Sequence, residues 1–140
     1  MDLKKFLLAV IVAYVVLEGT GFLIHGVWLD PIYRSLPDSW RPFEQMEKKM
    51  WIMWIGDLLF AMMFAYIYTR GAENKPWLGQ GIRYGILIAL LAVIPATLGN
   101  YVVHRVPYQL AIRWIVAGGL QMVLLGLIVA FFLKKAPSSS

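Results

Sequence analysis

Cysteine is absent, so disulfides, thiolate metal sites and cysteine nucleophiles are excluded before any motif is considered. Charge is scarce as well. Asp, Glu, Lys and Arg make up 15% of the 140 residues, where a soluble domain carries roughly a quarter. Alternating apolar segments of about ten residues are missing, which argues against a transmembrane β-barrel. What is present is apolar: 60% of the residues are hydrophobic and the mean hydropathy is +0.66. The net charge of +5 forms no patch. Lys and Arg flank the apolar blocks instead, as membrane-edge anchors do. The lipid bilayer is therefore the expected partner, and nucleic acid is not.

A hydrocarbon core of about 30 Å needs about 20 helical residues. Phe6–Leu29, Met50–Thr69, Ile82–Val103 and Leu110–Leu133 each supply such a run. Asp30-Pro31, Arg70-Gly71 and the segment His104 to Pro107 stop them, and Trp and Tyr gather near the ends as an aromatic belt. The expected fold is all-α, an integral membrane four-helix transmembrane bundle. It forms one domain over residues 1–136, with helices at about 6–29, 42–70, 80–103 and 108–134 and a disordered tail at 137–140. The second helix is expected to begin near Pro42, capped by Asp38 and Ser39, with Glu44 and Lys48 paired one turn apart. Lys4 and Lys5 before an apolar run imitate a signal peptide. Glu18 interrupts that run and no small-residue cleavage site follows, so the segment reads as a retained helix.

Orientation rests on the basic residues of the loops and ends. One side carries Lys4, Lys5, Arg70, Lys75, Arg83, Lys134 and Lys135 against Asp2 and Glu73. The other carries Arg34, Arg41, Lys48, Lys49, Arg105 and Arg113 against Asp30, Asp38, Glu44 and Glu47. The balance favours both termini in the cytoplasm. Polar markers also recur. Lys4 and His25 are as far apart as Arg83 and His104, and Lys49, Asp57 and Arg70 follow one another at the intervals of Arg113, Gln121 and Lys134. Two parallel helical hairpins would have this pattern, a device some transporters use. Membrane thickness alone can impose the same distances.

Ionisable groups within a span are costly, roughly 2.5–3.5 kcal/mol each at the centre on insertion scales, and usually face the protein interior. Glu18 in the first helix and Asp57 in the second lie at similar depths, so antiparallel neighbours can bring the two carboxyls together. A proton held between them is a physical basis for proton coupling. His25 lies two turns beyond Glu18 on nearly the same face. Asn100, His104, Arg113 and Gln121 enter from the third and fourth helices. All seven are expected in one polar cluster in the outer half of the bundle. The duller readings are interhelical hydrogen bonds for the carboxyls and Gln121, interfacial imidazoles, and an edge anchor for Arg113.

Two sharper chemistries use the same positions. His25 and His104 could ligate haem or a metal ion, with Glu18 or Asp57 as an oxygen ligand, although no haem-attachment or zinc-protease motif is present. Met46, Met50, Met53 and Asp57 form a stripe suited to Cu(I), or to ordinary packing. Gly81-x-x-x-Gly85 and Gly118, Gly119 and Gly126 are small-residue patches that let helices approach closely or oligomerise. No phosphate-cradling loop and no nucleophile with its base is seen, so an enzyme has no support.

Trp28-Leu-Asp-Pro-Ile-Tyr33 after the first helix, Asn100-Tyr101 at the end of the third and the Gly-rich run Gly118-Gly119 to Gly126 carry a family likeness. Over most of the chain the plan resembles small four-helix bacterial inner-membrane proteins grouped under a domain of unknown function. The resemblance implies the architecture and the membrane and transfers no site. The functional expectation is transporter-like binding of a small solute, ion or proton. The alternatives are an accessory or assembly subunit of a larger membrane complex and a haem or metal protein. Four spans are few for a transporter, so a homo-oligomer is expected.

Overall fold

The computed structural model describes residues 1–135, and the expected tail at 137–140 lies outside them. The described chain is all helical. The long helices are α1 (Leu3–Trp28), α4 (Met50–Gly71), α5 (Trp77–Val103) and α6 (Tyr108–Leu133), each long and apolar enough to cross a membrane. Two short helices, α2 (Asp30–Arg34) and α3 (Phe43–Glu47), lie in the longest connection. In lipid every backbone polar group needs a partner within the chain, and a continuous helix supplies it.

The helix ends follow from local chemistry. The Asp2 carboxylate accepts from the Lys4 and Lys5 amides at 3.0 and 3.3 Å, capping α1. Pro76 and Pro107 stand just before α5 and α6, where a missing N–H costs nothing. Two helices also change pitch midway. α1 widens to π geometry over Phe22–Trp28, and α5 does so over Ala89–Val93. In α5 the cause is close at hand. Pro95 removes a helical hydrogen bond and its ring crowds the carbonyl one turn back, and the wide turn just before it relieves both.

Successive spans run in opposite directions, giving an α1/α4 hairpin and an α5/α6 hairpin that point the same way. The two are joined chiefly where α1 packs on α6. α5 and α6 meet most closely, at glycines. A Cβ on Gly85 would lie 2.5 Å from the Met122 carbonyl oxygen, and one on Gly81 would lie 2.8 Å from that of Gly126. The patches Gly81-x-x-x-Gly85 and Gly126 therefore face each other within the chain. Gly119 does not take part, having nothing within 4 Å of its Cβ position.

The apolar core fills the half of the bundle that holds the chain ends, around Ala13, Ala65, Tyr68, Leu125 and Val129. Gln80, only 8% exposed, fastens the α4–α5 turn there. Its Oε1 accepts from the Glu73 amide at 2.7 Å, and its Nε2 donates to the Glu73 and Lys75 carbonyls. The outward faces carry large exposed side chains such as Phe22, Ile55, Leu91 and Leu120. So much apolar surface is what lipid contact requires. The chain is an integral membrane four-helix bundle.

The connection between α1 and α4 differs from the expectation. The helix expected over 42–70 is broken by a turn at Lys48–Lys49, leaving α3 separate from α4. Ser39 caps nothing. Its hydroxyl donates to the Arg105 carbonyl at 3.0 Å and ties the connection to the turn between α5 and α6. With α3 ending at Glu47, Glu44 and Lys48 share no helix; the ion pair of this connection is Arg34 with Asp30 at 2.6 Å. The chain has to lie across the bundle end, and one straight helix from Pro42 would not allow that.

Candidate binding cleft

In the half of the bundle opposite the core, the helices leave a cleft of about 350 Å³. α6 supplies the floor through Trp114, Ala117, Gly118 and Gln121, where the small residues set the depth. Ile24 and His25 of α1 form one wall, and Val93, Thr97, Asn100 and His104 of α5 form the other. Trp40, from the connection laid across the bundle end, closes the roof. Both walls include, or directly adjoin, a segment where the helix has changed pitch. His25 sits within the π segment of α1, and Thr97 follows the π segment and Pro95 of α5. Wide turns of this kind recur at functional sites.

Four of the seven expected residues, His25, Asn100, His104 and Gln121, therefore share one cleft. The remaining three are elsewhere. Glu18 and Asp57 neighbour each other between α1 and α4, with Tyr14 beside them. One Glu18 oxygen, Oε1, is buried without a hydrogen-bond partner among the described residues. The single cluster of the sequence reading is thus two sites: the carboxyl pair lies between α1 and α4, and the cleft lies between α1, α5 and α6. Arg113 joins neither site. Its guanidinium lies 5.5 Å from the centre of the Trp28 ring, a cation–π contact near the membrane edge.

Gln121 is the link between the sites. Its Nε2 donates to Thr20 Oγ1 at 2.7 Å and to the Leu17 carbonyl at 3.2 Å, beside Glu18 in sequence. Thr20 in turn donates to the Val16 carbonyl at 2.6 Å.

The roof is an aromatic network that sequence reasoning missed. Tyr33 Oη lies 2.6 Å from His25 Nδ1 and accepts from Trp114 Nε1 at 2.8 Å. Trp40 packs edge-on against both Tyr33 and Trp114, at 5.2 and 6.2 Å between ring centres. Burial holds the Tyr33 phenol above its ordinary value of 10, partly opposed by the hydrogen bond from Trp114. Tyr33 therefore keeps its proton at neutral pH, and its hydroxyl shares one hydrogen bond with His25 Nδ1 whose direction follows the imidazole tautomer. In sequence Tyr33 and Trp114 read as belt residues and Trp40 carries no signal. Only the Trp28–Tyr33 turn, noted as a motif, hinted at more.

A metal ion held by several side chains gains no donor set. His25 and His104 border one cleft, but among the described residues no three His, Asp or Glu groups gather as a metal site. The Met stripe is also interrupted, since the Lys48–Lys49 turn separates Met46 from Met50 and Met53. No family model, curated protein or solved structure matches the chain.

Proposed function

We propose that this protein binds a small solute in the cleft between α1, α5 and α6, in the manner of a transporter, with Glu18 and Asp57 as a separate proton site. The observation that carries the reading is the convergence of His25, Asn100, His104 and Gln121 from three helices on one cleft. Its volume is in the range of small-molecule sites, which begins at about 300 Å³. Polar groups in a span are expensive, and their grouping where the helices part supports a binding role. In this reading the protein sits in a bacterial inner membrane with both termini cytoplasmic, in keeping with the basic residues at that end. It works as a homo-oligomer, and its kin are the small four-helix bacterial proteins it resembles.

A thermal-stability screen in mild detergent against small polar solutes and inorganic ions tests this. A solute that stabilises the wild-type protein but not Asn100→Leu or His104→Ala supports the cleft. No stabilising solute, or equal stabilisation of the variants, contradicts it.

A second reading, a subunit of a larger membrane complex, is favoured by a shallow apolar groove beside Gly119 that also involves Leu90, Val116 and Leu120. Native mass measurement after mild extraction separates the two. A stoichiometric protein partner of different mass supports the subunit.

A further inference from the structure

The lining of the cleft narrows the ligand class. It contains His, Asn, Gln and Thr side chains but no Asp, Glu, Lys or Arg. An ion entering it would leave water without meeting a countercharge, which low-dielectric surroundings penalise heavily. A neutral molecule meets no such cost.

The donors narrow it further. The Trp40 indole N–H is buried and has no acceptor among the described residues. Burying a polar group without a partner is unfavourable, so this donor calls for an oxygen. His25, with Nδ1 engaged by Tyr33, has Nε2 left for a second polar contact on the same lining. Gln121 spends its amide hydrogens on Leu17 and Thr20, which leaves Oε1 as an acceptor and not as a competing donor. Trp40 and Trp114 form an edge-to-face corner with 75° between their planes, a surface suited to a flat ring.

The flanks of the cleft are apolar and exposed. Trp114 and Gln121 lie about 9 and 20 Å along α6 from Tyr108, at 1.5 Å per residue, so the cleft descends well into the hydrocarbon depth. Phe22 and Leu23 on the α1 side and Leu98 and Val102 on the α5 side are large and exposed. A ligand dissolved in lipid passes such edges more readily than one dissolved in water.

We infer that the cleft takes an uncharged aromatic carbonyl compound from the membrane, its oxygen accepting from Trp40 Nε1–H and its ring lying in the Trp40–Trp114 corner. This rests on the cleft being a binding site, as proposed above, and specifies what it binds.

The test titrates the purified protein in detergent with three probes of matched size: para-butylacetophenone, para-butylbenzoate and para-butylbenzylammonium. The ketone is expected to bind saturably to the wild-type protein and equally to Trp51→Phe, a substitution outside the cleft. Trp40→Phe keeps a ring and removes the donor, and it should weaken ketone binding roughly fivefold to tenfold, the worth of one hydrogen bond. The two ions should not bind saturably. Equal ketone affinity in Trp40→Phe and wild type overturns the inference, as does tighter binding of either ion. If an ion binds and Asn100→Leu abolishes it, the cleft reading survives and the neutral-ligand inference fails. If neither the probes nor the solute screen bind, both fail.

Discussion

Gln121 Nε2 on α6 lies 2.7 Å from Thr20 Oγ1 on α1, and this bond ties the two hairpins together between the cleft and the carboxyl pair. Because the same amide nitrogen also reaches the Leu17 carbonyl, replacing Gln121 removes both contacts at once. Gln121→Leu should destabilise the bundle by about 1 kcal/mol, within the range for interhelical bonds in membranes. Unfolding by a denaturing detergent measures it, and Gln121→Glu, which keeps the shape but not the donor, should show a similar loss.

The closest helix contact gives a steric prediction. Gly85→Ala would set a methyl group 2.5 Å from the Met122 oxygen and 2.7 Å from the Val123 nitrogen, both backbone atoms that cannot swing aside. The cost should be about 1–3 kcal/mol or more, as for overpacked cores. Gly79→Ala meets nothing within 4 Å and should be neutral or slightly stabilising. Thermal unfolding of the pair in one detergent compares them directly.

The aromatic roof should respond to loss of one hydroxyl. Tyr33→Phe keeps the ring against Trp40 but removes the acceptor of Trp114 Nε1–H and the partner of His25 Nδ1. A loss of about 1–2 kcal/mol is expected, with a change in tryptophan emission as Trp114 loses its partner.

The turn between α4 and α5 sets a pH dependence. Glu73 pairs with Lys75 and Arg83, and the Lys75 hydrogen bond and charge are the main reasons its carboxyl titrates below the ordinary 4.5. A depressed native value stabilises the folded chain above the unfolded value, and that contribution disappears as pH falls through the native one. The stability difference between wild type and Glu73→Gln should therefore be constant above about pH 5 and shrink below 4.5. Thermal unfolding from pH 3 to 7 checks this.

The spans were legible because hydropathy and length determine them almost alone. Glu18 and Asp57 were legible as neighbours because antiparallel packing leaves only their depths to compare, and those follow from residue counts. What could not be read was which face of α1 each partner would meet. That depends on contacts such as Tyr14 on the Trp54 carbonyl and Gln121 on Thr20, and it divided one expected cluster into two. The roof was hidden for a different reason. Trp40 reaches the cleft, and Tyr33 its partners His25 and Trp114, because the connection folds back over the bundle, held by Ser39 on the Arg105 carbonyl, and no periodicity records such a contact.

The absence of native cysteine allows the central claim, a four-span bundle with the cleft at its outer end, to be tested by single-cysteine labelling. Glu44→Cys, Glu73→Cys and Leu91→Cys would each be exposed to a membrane-impermeant maleimide, first in intact cells and then after permeabilisation. Glu44→Cys should label in intact cells and Glu73→Cys only after permeabilisation. Leu91→Cys, although its side chain is 73% exposed, should label in neither because lipid covers it. Labelling of Leu91→Cys in intact cells, or of Glu44→Cys and Glu73→Cys from the same side, would contradict the account.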